Sequence, residues 1–278
     1  MGRVRVRRTA MLGVVITGMA ALIVGSGATA HSTGHGHGRA VAGGRLPDLD
    51  QETPTQLGVR EDSSGGRRSF LLGFRSAIRN IGDGPLIIDG HRPDVDTSTM
   101  VADQVVEHAG GPRGQVRGVG RLQYVVSPDH RHWHLLGFER YELRRPHGSV
   151  ALVEDRKTGF CLGDRYTVVG PPLSHRASHP SFTSRCGLEQ TQLLGIREGI
   201  SVGYGDDYAA NLEGQYLPLT GLADGRYVLV HRVNTSGRIH ETGYRNNAAS
   251  VLIALNWRQG IPYVRVLARC PDSARCTR

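Results

Sequence analysis

Apolar residues in this chain come in short runs broken by glycine and proline, a pattern that predicts strands. Residues 69–80 read as one strand, Gly82-Asp83-Gly84-Pro85 as a turn, and residues 86–89 as the next strand. Residues 110–120 read as a glycine-rich loop, and residues 122–126 lead into a histidine motif. Further strands are expected at 150–153, 216–219, 226–233 and 250–254. No window has apolar positions recurring at the helical period. Short strands with turn signals between them predict an all-β fold, with a β-sandwich core and long loops.

The strongest chemical signal is Asp129-His130-Arg131-His132-Trp133-His134. Alternation resumes at Phe138-Glu139-Arg140-Tyr141-Glu142-Leu143, so the segment reads as a strand in which residues two apart share a face. Three imidazoles on one face make a donor set for copper, zinc, nickel or iron. A straight strand would hold the outer two Cα atoms about 13 Å apart at ~3.3 Å per residue. Metal–nitrogen bonds of ~2 Å therefore demand a bend, and Pro128 and Gly137 flank the motif where one could form. Solvated surface histidines are the plainer alternative, but Trp133 and the apolar flanks argue for a partly buried segment.

The N-terminus changes the compartment. Arg3, Arg5, Arg7 and Arg8 precede an apolar run over 11–24 and an Ala28-Thr29-Ala30 site, the pattern of an export signal cut after Ala30. The expected organisation is a signal peptide at 1–30, a disordered His/Gly-rich arm at 31–45 and one folded domain at 46–278. The mature chain is then secreted, with no transmembrane span. Losing four signal arginines lowers the formal charge from +9 to +5. No arginine cluster is interleaved with stacking aromatics, which excludes nucleic acid as a partner and leaves weak attraction to anionic cell-wall polymers. Four cysteines in an exported chain imply two disulfides. Of three connectivities, Cys270 with Cys276 closes a short loop, which leaves Cys161 with Cys186.

Lysine is almost absent. Lys plus Arg total 34, yet Lys157 is the sole lysine, and only lysine offers a primary amine able to act as a nucleophile. Its context, Lys157-Thr158-Gly159-Phe160-Cys161-Leu162, resembles the lysyl oxidase family, as does the histidine triplet. So do Asp206-Asp207-Tyr208-Ala209-Ala210-Asn211-Leu212, the stretch 219–229, and Glu241-Thr242-Gly243-Tyr244-Arg245-Asn246-Asn247. The likeness covers roughly 46–254, and the length and export signal resemble a bacterial, actinobacterial-type member.

The resemblance implies a copper-dependent amine oxidase. Copper would be held by His130, His132 and His134. Lys157 and Tyr208 would cross-link into lysine tyrosylquinone. The substrates would be primary amines, including peptidyl lysine, and O2; the products would be an aldehyde, NH3 and H2O2. Asp207, next to Tyr208, is the expected general base. The carboxylates Glu198, Asp206, Asp207 and Glu213 around Tyr208 would attract a cationic amine. The family's calcium site would fall on Asp48, Glu241, Asn246 and Asn247, although Gly243 stands where animal members have aspartate. Arg140 likewise replaces their histidine before Tyr141, and they have more cysteines. Two rival readings stay open: a copper-binding surface protein that never builds the quinone, and a three-histidine zinc hydrolase. Only the oxidase needs Lys157 and Tyr208.

Overall fold

In the computed structural model, residues 42–63, 66–128, 130–155 and 159–278 are described. The export signal, the arm up to residue 41, Asp129 and Lys157 lie outside them. Among the described residues there are strands and no helix. In chain order these are β1 (Gly44–Arg45), β2 (Leu49–Gln51), β3 (Thr55–Asp62), β4 (Ser69–Asn80), β5 (Leu86–His91), β6 (Thr99–His108), β7 (Gly114–Val126), β8 (Arg131–Leu135) and β9 (Glu139–Arg144). They continue with β10 (Ala151–Glu154), β11 (Tyr166–Thr167), β12 (Gly195–Ile200), β13 (Tyr204–Tyr208), β14 (Tyr216–Pro218), β15 (Gly225–Val233), β16 (Ala248–Arg258) and β17 (Ile261–Cys270). No helix of the described residues is long and apolar enough to cross a membrane.

The strands form three antiparallel sheets. One runs β12-β5-β6-β7-β8, with β1 on β6, and a second runs β10-β9-β15-β16-β17. The third is built on β4, which pairs with β2, β3, β13 and β14. That strand is central because it is apolar on both faces: Phe70, Leu71, Leu72, Phe74, Ala77 and Ile78 are all buried. Phe74 of β4 meets Tyr141 of β9 at 4.9 Å and His231 of β15 at 4.6 Å between ring centroids. The second and third sheets therefore share one core, as a sandwich does, held by edge-on aromatic pairs.

The expected strand at 69–80 is β4, and both disulfides, Cys161–Cys186 and Cys270–Cys276, are the expected pairs. The expected loop at 110–120 is a correction: β7 already starts at Gly114. Its glycines serve a bulge, since the register with β6 jumps between Ala102 and Gln104 and Gly118 has φ +67°. Asp103 fills the gap, accepting the Gly118 N–H at 2.7 Å. Strands β1, β2, β3, β6, β11, β12, β13 and β17 had no strand of their own expected in the sequence pattern.

Candidate metal centre and its neighbourhood

Strand β8 puts His132 and His134 on one face and Trp133 on the other. Trp133 is fully buried; its indole N–H donates to Gln190 O at 3.1 Å, and the Arg92 guanidinium lies 4.8 Å over its ring. His130 precedes the strand, and the bend that the triplet needs is a tight turn. Ser127 N–H donates to His130 O at 2.7 Å, and His130 N–H returns to Ser127 O at 3.3 Å. His130 Nδ1 then lies 3.3 Å from His132 Nε2, which lies 2.8 Å from His134 Nε2. Bonds of ~2 Å meeting at angles of about 90° to 110° separate two nitrogens by ~2.8–3.3 Å. The spacing therefore fits one ion, and an all-imidazole set suits copper. Cys161, Cys186 and Glu198 also cluster, but both sulfurs are in a disulfide and offer no thiolate.

A cavity of about 450 Å3 opens on this centre, with His130 and His134 in its wall. Its apolar lining is Leu71, Val125, Tyr216 and Pro218, and its acids are Asp62, Glu154 and Glu213. Of the carboxylates expected to draw in an amine, Glu213 alone lines this cavity. Glu198 and Asp206 are fully buried, and Asp62 and Glu154 had no sequence signal because distant strands deliver them.

Tyr208 ends β13, and the period of two sets Asp206 on its side and Asp207 on the other. Its phenol donates to Asp206 Oδ2 at 2.8 Å and lies 3.0 Å from Cys161 O. Asp207, expected as the base beside the phenol, instead pairs with Arg75 at 2.9 Å. Reading β13 as a strand would have chosen Asp206. Burial raises the Asp206 carboxyl to about 7, offset in part by Arg165, whose Nε lies 3.5 Å away. Burial, Asp206 and Glu139 push the Tyr208 phenol well above its usual range. Glu139 is a second buried acid, accepting Ser76 OH at 2.7 Å and Tyr141 OH at 2.6 Å.

One short segment links phenol and histidines. Leu135 N–H donates to Phe160 O at 2.8 Å, and Phe160 N–H donates to Leu135 O at 3.1 Å. The Phe160 ring meets Tyr208 edge-on at 4.9 Å. Gly159 lies so close to β8 that an added Cβ would sit 3.0 Å from His134 Cβ and 2.7 Å from Leu135 O.

The four residues expected to bind calcium converge, and their carboxylates are engaged by N–H donors. Glu241 Oε1 accepts N–H groups from Asn234 at 2.6 Å and Asn247 at 2.8 Å, and Oε2 accepts the Leu49 N–H at 2.7 Å. Asp48 Oδ1 accepts the Asn246 amide at 2.8 Å. Calcium requires six to eight oxygens, whereas these carboxylates face N–H donors and Gly243 contributes no side chain. As they stand, the four residues form a hydrogen-bonded joint between the β2 region and the 241–247 loop, in which Asn247 Oδ1 is buried with no hydrogen-bond partner among the described residues.

An all-β protein with three clustered histidines able to hold a metal is the class that fold and site define. Residues 119–263, just over half the chain, match the family model described as lysyl oxidase, and the chain belongs to that family. Human lysyl oxidase homolog 3 is 28% identical over 130 residues, which is 46% of this chain and 15% of that protein. Human lysyl oxidase homolog 4 is 28% identical over 129 residues, 46% of this chain and 15% of that protein. Rat protein-lysine 6-oxidase is 30% identical over 119 residues, 42% of this chain and 25% of that protein. The matched stretch thus spans a quarter or less of these relatives' length.

Because Asp206 has a folded pKa of about 7 against 3.8 unfolded, folding favours its protonated form. Its stabilising contribution is full below pH ~4, falls as pH rises to ~7, and is flat above. Metal-free wild type should lose more Tm across this window than Asp206→Asn; parallel calorimetric profiles would reject this titration. At the calcium joint, millimolar Ca2+ should leave the wild-type Tm unchanged. Gly243→Asp, which adds a carboxylate near Asp48 (the ideal Cβ is 3.6 Å from Oδ2), should gain a Ca2+-dependent Tm rise. A calcium-induced rise in wild type would contradict the donor assignment.

Proposed function

We propose that this chain is a copper-dependent amine oxidase that converts primary amines, lysine side chains among them, to aldehydes with O2, releasing NH3 and H2O2. The observation that carries the reading is the hydrogen-bonded path from His134 through Leu135 and Phe160 to Cys161 and the Tyr208 phenol. His130, His132 and His134 would hold Cu2+. Copper, when bound, would supply with O2 the oxidising power for joining Lys157 and Tyr208 as lysine tyrosylquinone, a group that would supply an electrophilic carbonyl for amines.

The chain's own residues have defined tasks. Cys161 O and Asp206 fix the direction of the phenol, and Asp206, titrating near neutrality, holds or returns its proton. Lys157 is four residues before Cys161, so covalent reach alone keeps its Cα within about 14 Å of that of Cys161 at ~3.6 Å per residue. The cavity's apolar wall excludes water from a bound side chain, while Asp62, Glu154 and Glu213 favour a cation at its rim. Asp207 clamps β13 to β4 through Arg75. Two disulfides agree with a secreted location.

Copper-loaded protein should release H2O2 in step with aldehyde and form a coloured phenylhydrazine adduct. Lys157→Arg should lose both while keeping its copper. Oxidation surviving in that variant would defeat the quinone reading; copper binding by wild type without adduct would favour the non-catalytic copper holder. Glu154→Gln with Glu213→Gln should raise KM for cationic amines several-fold at low salt, an effect erased by high salt. An unchanged KM would remove the rim acids from recognition.

A further inference from the structure

Besides the acidic cavity, three concavities share lining residues with one another. The first, about 320 Å3, is lined by Arg117, Arg238 and His240, and the second, about 470 Å3, by Arg121 and again Arg238. The third, about 530 Å3, has Arg140 and Arg232, and joins the second through Thr235 and Ser236. Five arginines thus line these linked concavities, which we take as one groove; Glu142 is the one acid in the lining, and Glu154, outside it, lies 4.0 Å from Arg140. The Glu142 carboxylate is 10% exposed and already faces Arg144 at 3.7 Å and Arg232 at 3.6 Å. Arg117, Arg121 and Arg238 are exposed, and among the described residues no carboxylate lies within ion-pair distance of them.

The groove is firmly built. The segment carrying Arg238 and His240 is pinned by Asn234 N–H to Phe138 O at 2.8 Å. Gln104 exchanges two bonds of 2.8 Å with the His240 backbone. Guanidinium forks held in a row match oxyanions spaced along a chain, each fork spanning two oxygens. Tyr244 is the one aromatic side chain in the lining, at one end, so there is no platform on which successive bases could stack. The metal-centre cavity has the opposite charge, with three acids and no arginine in its described lining.

We propose that this groove binds a linear phosphodiester polymer that carries no bases, and so anchors the protein on an anionic surface while the metal centre stays open. The inference stands independently of the oxidase reading. Its test is fluorescence anisotropy of full-length protein with labelled poly(glycerol phosphate), with hyaluronate and oligo-dT of matched length as comparisons. Poly(glycerol phosphate) should bind most tightly, and the affinity should fall by roughly tenfold or more between 50 and 200 mM salt. Arg117→Gln/Arg121→Gln/Arg238→Gln should weaken it by about tenfold. Arg226→Gln/Arg265→Gln/Arg278→Gln, which removes the same charge from exposed sites outside the groove, should change it less than about twofold. Tm and copper content should match wild type in both. Equal losses in the two variants, undiminished binding in the first, or equally tight hyaluronate or oligo-dT would each overturn the proposal.

Discussion

The paired hydrogen bonds between Leu135 and Phe160 are the constraint on which the rest of the site depends. They hold the segment from Gly159 to Gly163 against β8, next to His134, and from there it passes to the phenol of Tyr208 on β13. The Cys161–Cys186 disulfide fixes the same segment to the loop that covers Trp133, where Cys186 O accepts the Trp133 N–H at 2.9 Å. The strand carrying His132 and His134 and the strand carrying Tyr208 belong to different sheets, and this segment sets their relation. The approach tolerates no side chain at position 159: φ there is +152°, and a Cβ would collide with the β8 backbone.

Around the phenol, burial matters more than charge pairing. Asp206, Glu198 and Glu139 are carboxylates in the interior, with Tyr141 and Tyr208 beside them. Desolvation is the largest cause raising Asp206 and Glu198, and Arg165 compensates only in part. Such groups cost folding stability when ionised, which favours their protonated forms. His231, which packs 4.4 Å from Tyr141, has its pKa driven well below the usual range by burial and contributes no positive charge there.

Much of this was legible in the sequence, for physical reasons. Alternation exposed the histidine face, and apolar density gave β4. The odd Lys157 and the motif order pointed to the family. What stayed hidden depends on tertiary approach: the bulge that converts an apparent glycine loop into β7, and the acids that reach the cavity from β3, β10 and the loop after β13. Asp206 was within reach, since the two-residue period of a strand puts it, and not Asp207, beside the phenol. The residues expected around calcium are neighbours, as the motif implied, but the hydrogen-bond polarity among them could not be read from residue type alone.

Peptide mapping by mass spectrometry, after copper loading in air and reduction of the disulfides, bears most directly on the central claim. The account predicts that the segments containing Lys157 and Tyr208 emerge as one covalently joined species, absent from metal-free protein. Two separate, unmodified peptides after full copper loading would contradict it.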